Sequence, residues 1–139
     1  MAVANDFNTQ IIEEFRANAG KVGGMFEGTD LLLLTTIGAK TGRQTTAPLA
    51  WYAEGDRLHV FGSKAGADTH PAWYHNLIAN PDVTVEAGAE TYQATATVLK
   101  GAERDRVWEI QVARAPGFGE YQQNTARIIP VIALDLKAG

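Results

Sequence analysis

The sequence predicts an α+β fold, a small antiparallel barrel of about six strands with helices packed around it. Three observations point there. Apolar and β-branched runs recur along the chain, and short glycine-containing turns join most of them in hairpin order. Residues 82–86 and 91–99 alternate apolar and polar, so successive side chains point to opposite faces of a sheet. Helical periodicities are few and do not alternate with the strands, which argues against a doubly wound parallel sheet.

The elements follow in chain order. Phe7, Ile11 and Phe15 recur every four residues with Ile12 and Ala19 alongside, one face of an amphipathic helix. Asn5 or Asp6 is placed to cap its start, and Gly20 or Gly23-Gly24 to stop it. Its polar side carries Glu13, Glu14 and Arg16. Packing on the core is the plain reading of residues 1–25. The sharper one is a lid or an arm in weak contact with a membrane, which the two glutamates disfavour. Leu31–Ile37 is continuously apolar and β-branched, as a buried strand requires. Gly38 to Gly42 supplies a turn, and residues 44–53 a return strand. Pro48 within that strand lacks a donor N–H, so an edge or a bulge is expected there. Arg57–Phe61 is the next strand. Residues 71–77 form a short helix with Pro71 in its first turn, closed by Asn80-Pro81. The two alternating strands follow, turning at Gly88. Residues 103–114 read as a helix, 116–119 as a loop, and 128–136 as a last strand despite Pro130.

Composition narrows the function. A chain of 139 residues with 45% hydrophobic content makes one domain with a real core. A net charge of −4 argues against non-specific nucleic-acid binding. With no cysteine, disulfides and thiolate metal sites are ruled out. The N-terminus MAVANDFNTQ has no basic stretch followed by an apolar run, so a signal peptide is not expected and a cytoplasmic location is.

Chemistry concentrates where strands end. The turn Gly38-Ala39-Lys40-Thr41-Gly42-Arg43 is not a Walker loop, because Ala39 precedes the lysine and a β-branched run follows. Lys40 and Arg43 are still suited to an acidic or phosphorylated group, although a solvated hairpin turn has the same composition. A second lysine, Lys64, follows Gly62-Ser63 after another strand, and two such turns on one barrel rim would make an anion site. Ser63 lacks the flanking glycines of a nucleophile elbow and reads as a hydroxyl donor to a ligand oxygen. Trp73 and Tyr74 offer a flat wall for a ring system, or core packing for a small helix. His59, His70 and His75 have no metal-binding spacing, and no metal is expected. Tyr121 is either a surface residue or a pocket wall with a proton to give.

Taken together, these strings resemble a known family. Leu33-Leu34-Thr35-Thr36-Ile37-Gly38-Ala39-Lys40-Thr41-Gly42, then Ala47-Pro48-Leu49, Ser63-Lys64-Ala65-Gly66-Ala67, Pro71-Ala72-Trp73-Tyr74-His75-Asn76-Leu77 and Arg127-Ile128-Ile129-Pro130-Val131 are similar to the deazaflavin-dependent nitroreductases and quinone reductases of actinobacteria. The resemblance implies a split β-barrel like that of flavin reductases. It implies coenzyme F-420, a deazaflavin with a phospholactyl-polyglutamate tail, and hydride transfer to a quinone, enone or nitroaromatic acceptor. Carried across, Lys40 would meet the tail, and Thr41 would belong to the cofactor site beside it. Thr45, Thr46, Ala47, Pro48 and Ala50 would line the ring and its polyol, and Gly62, Ser63 and Lys64 the phosphate. Ala72, Trp73, Tyr74 and Asn76 would complete the cofactor site. Phe118 and Tyr121 would face the acceptor, with Tyr121 as proton donor. Phe118 stands where nitroimidazole-reducing members have tyrosine, which counts against that substrate here. Two rival functions stand beside this one: a non-catalytic binder of deazaflavin or another apolar ligand, and a split-barrel enzyme using FMN. The oligomeric state is left open.

Overall fold

The computed structural model describes residues 3–18, 31–55, 57–88 and 90–137. Six antiparallel strands close a barrel: β1 (Leu31–Ile37), β2 (Gln44–Glu54), β3 (Arg57–Phe61), β4 (Asp82–Ala87), β5 (Glu90–Val98) and β6 (Val131–Leu136). Around the barrel they run β1-β2-β3-β6-β5-β4, and β4 pairs back onto β1 from Leu32↔Ala87 to Thr35↔Thr84. Closure gives every strand a neighbour on each side over part of its length, which is how small all-antiparallel sheets limit edge-to-edge association.

The unbroken leucine run of β1 has a structural reason. Leu32 and Leu34 point into the barrel, where they meet Leu58, Val60, Val85, Ile132 and Leu134. Leu31 and Leu33 point outward and are covered by Ile11 and Phe15 of helix α1 (Val3–Ala17). A strand buried on both faces is apolar throughout rather than alternating. Each such buried leucine contributes about 1.5–3 kcal/mol. The apolar stripe of α1 is thus used in packing, as the plain reading expected, and Phe15 is only 1% exposed. α1 begins at Val3, ahead of Asn5 and Asp6, so neither caps it. Extending an existing helix costs far less than nucleating one, and Val3-Ala4 does not interrupt it. The side chain of Phe7 and the proposed glycine stops lie outside the described residues. Among the described residues no helix is long and apolar enough to cross a membrane.

β2 is long because it serves two neighbours. Its first seven residues pair with β1, Gln44↔Ile37 through Ala50↔Leu31, and its last four pair with β3. Pro48 sits opposite Leu33 in an unbroken register, where β2 has β1 on one side only, so the edge expectation holds and no bulge is needed.

Two further expectations fail. Residues 116–119 are not a loop: helix α4 (Gly117–Gln123) starts directly after Pro116. Burial overrides glycine's poor propensity there, because Phe118 and Tyr121 cover a second apolar cluster of Phe61, Leu99, Val107, Trp108 and Ile129. Gly119 also permits close approach, since a Cβ there would lie 3.3 Å from Val112 Cγ1 on helix α3 (Gly101–Arg114). The last strand is shorter than residues 128–136. It begins at Val131, after Pro130, and Ile128 is 71% exposed.

Helix α2 (Ala72–Ala79) lies across one end of the barrel, with Trp73 and Leu77 inserted into the inner core. β1 and β3 run in the same direction, both antiparallel to β2, so their C-terminal ends share the rim that α2 crosses.

Candidate functional site

At that rim the β1–β2 turn folds on itself. Gly38 N–H donates to Arg43 O at 2.7 Å and Gly42 N–H to Gly38 O at 3.0 Å. Helix α2 then fixes the turn from below. Asn76 Oδ1 accepts from Ala39 N–H at 3.0 Å, and Asn76 Nδ2 donates to Thr36 Oγ1 at 3.1 Å. Asn80 Nδ2 adds a longer bond to Ile37 O, 3.3 Å. Between turn and helix lies a cleft of about 580 Å³, lined by Gly38, Ala39, Lys40, Thr41, Thr45, Ala72, His75 and Asn76.

Among the described residues no carboxylate lines this cleft. Arg16, Arg57, Arg104, Arg106 and Lys137 each pair with an acidic side chain, whereas no described carboxylate lies within ion-pair distance of Lys40 or Arg43. An unneutralised ammonium beside two threonine hydroxyls and an imidazole suits an anionic group with several acceptor oxygens. The donor set therefore fits the acidic tail of the cofactor that the sequence resemblance implies.

Of the residues picked from sequence, Lys40, Thr41, Thr45, Ala72 and Asn76 meet in this cleft. Asn76 spends both polar atoms on the scaffold, so it holds the turn in place. The rest of the β2 set divides by strand alternation. Ala47 and Leu49 pack against the inner core. Thr46, Pro48 and Ala50 alternate with them onto the outer face, where Thr46 Oγ1 meets Thr35 Oγ1 at 2.8 Å. Trp73 is 8% exposed and part of the barrel core, so it is no flat wall for a ring. Tyr74, half-buried, stacks at a tilt on His70 with ring centroids 4.5 Å apart.

His75, which the sequence reading does not place in the site, also lines the cleft, one helical turn after Ala72 and on the same exposed side of α2.

The second lysine turn occupies the same rim as expected, but it does not line the Lys40 cleft. Lys64 adopts φ +46°, a left-handed conformation uncommon outside glycine, and donates from Nζ to Thr69 Oγ1 at 3.1 Å. Arg127 organises the segment. Its guanidinium donates to Ala67 O, Gly62 O and Ser63 O at 2.8, 3.1 and 2.9 Å, and to His70 Nδ1 at 3.1 Å. Because arginine only donates, His70 Nδ1 must accept, which fixes its neutral tautomer with the proton on Nε2. Burial first, then the charge of Arg127, lowers the His70 pKa. Gly62 is required by contact, since a Cβ there would fall 2.7 Å from Pro130 Cγ. Helix α4 packs beside this turn. Phe118 and Tyr121 share a helix face, with rings 5.4 Å apart, but neither lines the Lys40 cleft.

The opposite rim carries a separate charge network. Glu54 accepts from Arg106 at 2.7 and 2.9 Å and from Tyr52 Oη at 2.9 Å, which lowers its pKa to about 2. His59 is buried beneath Tyr52, its Nδ1 bonded to Tyr52 O at 3.0 Å, and burial lowers its pKa.

Known proteins match this architecture. A family model described as F420H(2)-dependent quinone reductase matches residues 8–135. An F420H(2)-dependent quinone reductase of Mycobacterium tuberculosis is 37% identical over 124 residues, covering 86% of this chain and 83% of that protein. A solved structure of an F420-H2 dependent reductase superposes with a TM-score of 0.69 at 39% identity, covering 75% of this chain and 92% of its own. Another, described as a domain-swapped dimer, superposes with a TM-score of 0.72 at 31% identity, covering 96% and 99%.

Proposed function

The chain belongs to the F420H(2)-dependent quinone reductase family, and from that premise we propose how its own residues serve the reaction. The protein is an oxidoreductase that uses coenzyme F420, and its acceptor is a small organic molecule of quinone type. When bound, the reduced coenzyme supplies the hydride. Lys40, Thr41 and Thr45 hold the anionic tail in the cleft. Ser63 and Lys64, set by Arg127, bind on the phosphate side next to Gly62. Ala72 and Tyr74 add apolar contact, and Asn76 keeps the Lys40 turn in its binding shape. Tyr121 gives the proton to the reduced acceptor, and Phe118 packs beside it as an apolar wall without a hydroxyl.

The observation that carries this reading is the Lys40 cleft, whose ammonium no described carboxylate neutralises. The test is a comparison of affinities for F420, FMN and FAD at matched salt, followed by stopped-flow oxidation of reduced F420 with a panel of quinones. Tighter F420 binding with quinone-dependent oxidation is expected. Equal or tighter FMN binding would overturn the cofactor assignment, and F420 binding without turnover would leave a non-catalytic binder.

A further inference from the structure

Gln122 of α4 stands one residue after Tyr121 and uses both ends of its amide on the chain that leads into β6. Its Nε2 donates to Arg127 O at 2.7 Å, and its Oε1 accepts from Ile129 N–H at 3.0 Å. Arg104 of α3 reinforces the same place, donating to Ile129 O at 2.6 Å and, more weakly, to Gln122 Oε1 at 3.5 Å. The backbone of Arg127 is thereby fixed to α4. Its guanidinium reaches the other way, to Gly62 O, Ser63 O, Ala67 O and His70 Nδ1. A second contact joins the same two parts. Gly66, at φ +82°, packs on the backbone of Tyr121, where a Cβ would lie 3.0 Å from Tyr121 O and 3.2 Å from Tyr121 Cα. The turn that carries Ser63 and Lys64 is therefore tied to the helix that carries Phe118 and Tyr121 at two points, one polar and one by close packing.

We propose that Gln122 is a positioning residue: by holding Arg127 to α4, it makes a phosphate bound at residues 62–64 also set where Phe118 and Tyr121 stand toward the acceptor. This rests on the phosphate lying at that turn and on the acceptor facing α4. The chemistry of each link is specific. Carbonyl oxygens only accept, so Gly62, Ser63 and Ala67 are held together only while one side chain presents several donors in a fixed fork. Gln122 likewise has to donate to one backbone group and accept from another two residues on, which an amide does and a carboxylate does not. Binding energy released at the phosphate, remote from the reacting ring, then enters the rate of the acceptor step as well as the affinity.

The experiment compares two cofactors with the same ring. One is F420 with its full tail. The other is the deazaflavin ending at its polyol, without phosphate or glutamates. Dissociation constants are measured first. Oxidation of each bound, reduced form is then followed by stopped flow at saturating cofactor and saturating naphthoquinone. Amide hydrogen exchange of residues 117–129 is read separately on the oxidised complexes, without acceptor. In the parent the tailed form is expected to bind tighter, to be oxidised about twofold to tenfold faster, and to slow exchange in α4 more than the truncated form does. Gln122→Glu keeps the acceptor toward Ile129 N–H and Arg104 and loses only the donor to Arg127 O. Arg127→Lys keeps the charge and loses the fork. In each variant the two forms should be oxidised at equal rates and protect α4 equally, with circular dichroism certifying the fold. Two results would overturn the proposal: equal oxidation rates for the two forms in the parent despite tighter binding of the tailed one, or an advantage in rate and protection that persists in folded Gln122→Glu. Equal affinity for both forms in the parent would instead remove the phosphate-side placement at Ser63 and Lys64, and the proposal with it.

Discussion

The backbone N–H of Ala39 donates to the side-chain oxygen of Asn76 at 3.0 Å, across 37 positions of sequence. The Asn76 side-chain nitrogen Nδ2 in turn donates to the fully buried hydroxyl of Thr36. One side chain on α2 therefore sets both the end of β1 and the turn that carries Lys40.

Asn76→Ala removes both bonds and leaves the Ala39 N–H and the Thr36 hydroxyl short of partners. A loss of about 1–3 kcal/mol in unfolding free energy is expected from denaturant titration. Affinity for F420 should fall with it, because the turn is no longer held. Unchanged affinity would show that the turn keeps its shape without the helix.

Lys40→Ala and Lys64→Ala each remove a charged donor, worth roughly 1.5–3 kcal/mol of tail binding. The loss should shrink for a tail-less deazaflavin, and if both variants bind like the parent the lysines are ordinary surface charge. The two sites differ in stability. Lys64 holds φ +46°, so Lys64→Gly suits the backbone where Lys64→Ala keeps the strain. Lys64→Gly should be more stable than Lys64→Ala by about 1 kcal/mol, and a reversed order in urea unfolding would contradict a strained turn.

Tyr121→Phe keeps the ring against Phe118 and deletes only the hydroxyl. With Tyr121 as proton donor, turnover falls by about 10²-fold while cofactor affinity holds. Equal turnover with quinone and nitroaromatic acceptors would make Tyr121 a packing residue and water the proton source.

Stability should fall in acid in two stages. Burial lowers the His59 and His70 pKa values in the folded state. The unfolded chain therefore binds more protons below about pH 6.5, and stability declines as the pH falls from there toward the folded values. Glu54 is held at about 2 by Arg106 and Tyr52, so its contribution is present above its ordinary carboxylate range and is lost as the pH falls from that range toward 2. Urea midpoints across pH should show both declines. Glu54→Gln should remove the lower stage only, and His70→Asn, which still offers Arg127 an acceptor, should reduce the upper one.

The six strands and the amphipathic helices were legible because periodicity reports which face is buried. Leu31–Ile37 and the 7-11-15 spacing of α1 needed no tertiary knowledge. The motif at Gly38 to Gly42 likewise pointed to the turn that lines the cleft, because a lysine between turn-forming residues has few uses in a core. What the sequence could not decide was orientation. Whether Trp73 faced ligand or core depended on α2 plugging the barrel, and its neighbour Tyr74 differs by a rotation of one residue. The run from Thr45 to Ala50 looked like one wall, yet the pleat splits it between two faces. Residues 116–119 looked like a loop because glycine and proline oppose a helix locally, and only the apolar cluster beneath Phe118 and Tyr121 reverses that. Arg127 gained its structural role from neighbours distant in sequence, the carbonyls of residues 62–67 and His70. Local preferences are set by residues within a few positions of one another, and so the chain alone determined its elements. Hydrogen bonds and charges depend on distance in space, and so only the closed barrel determined which side chains share a cleft.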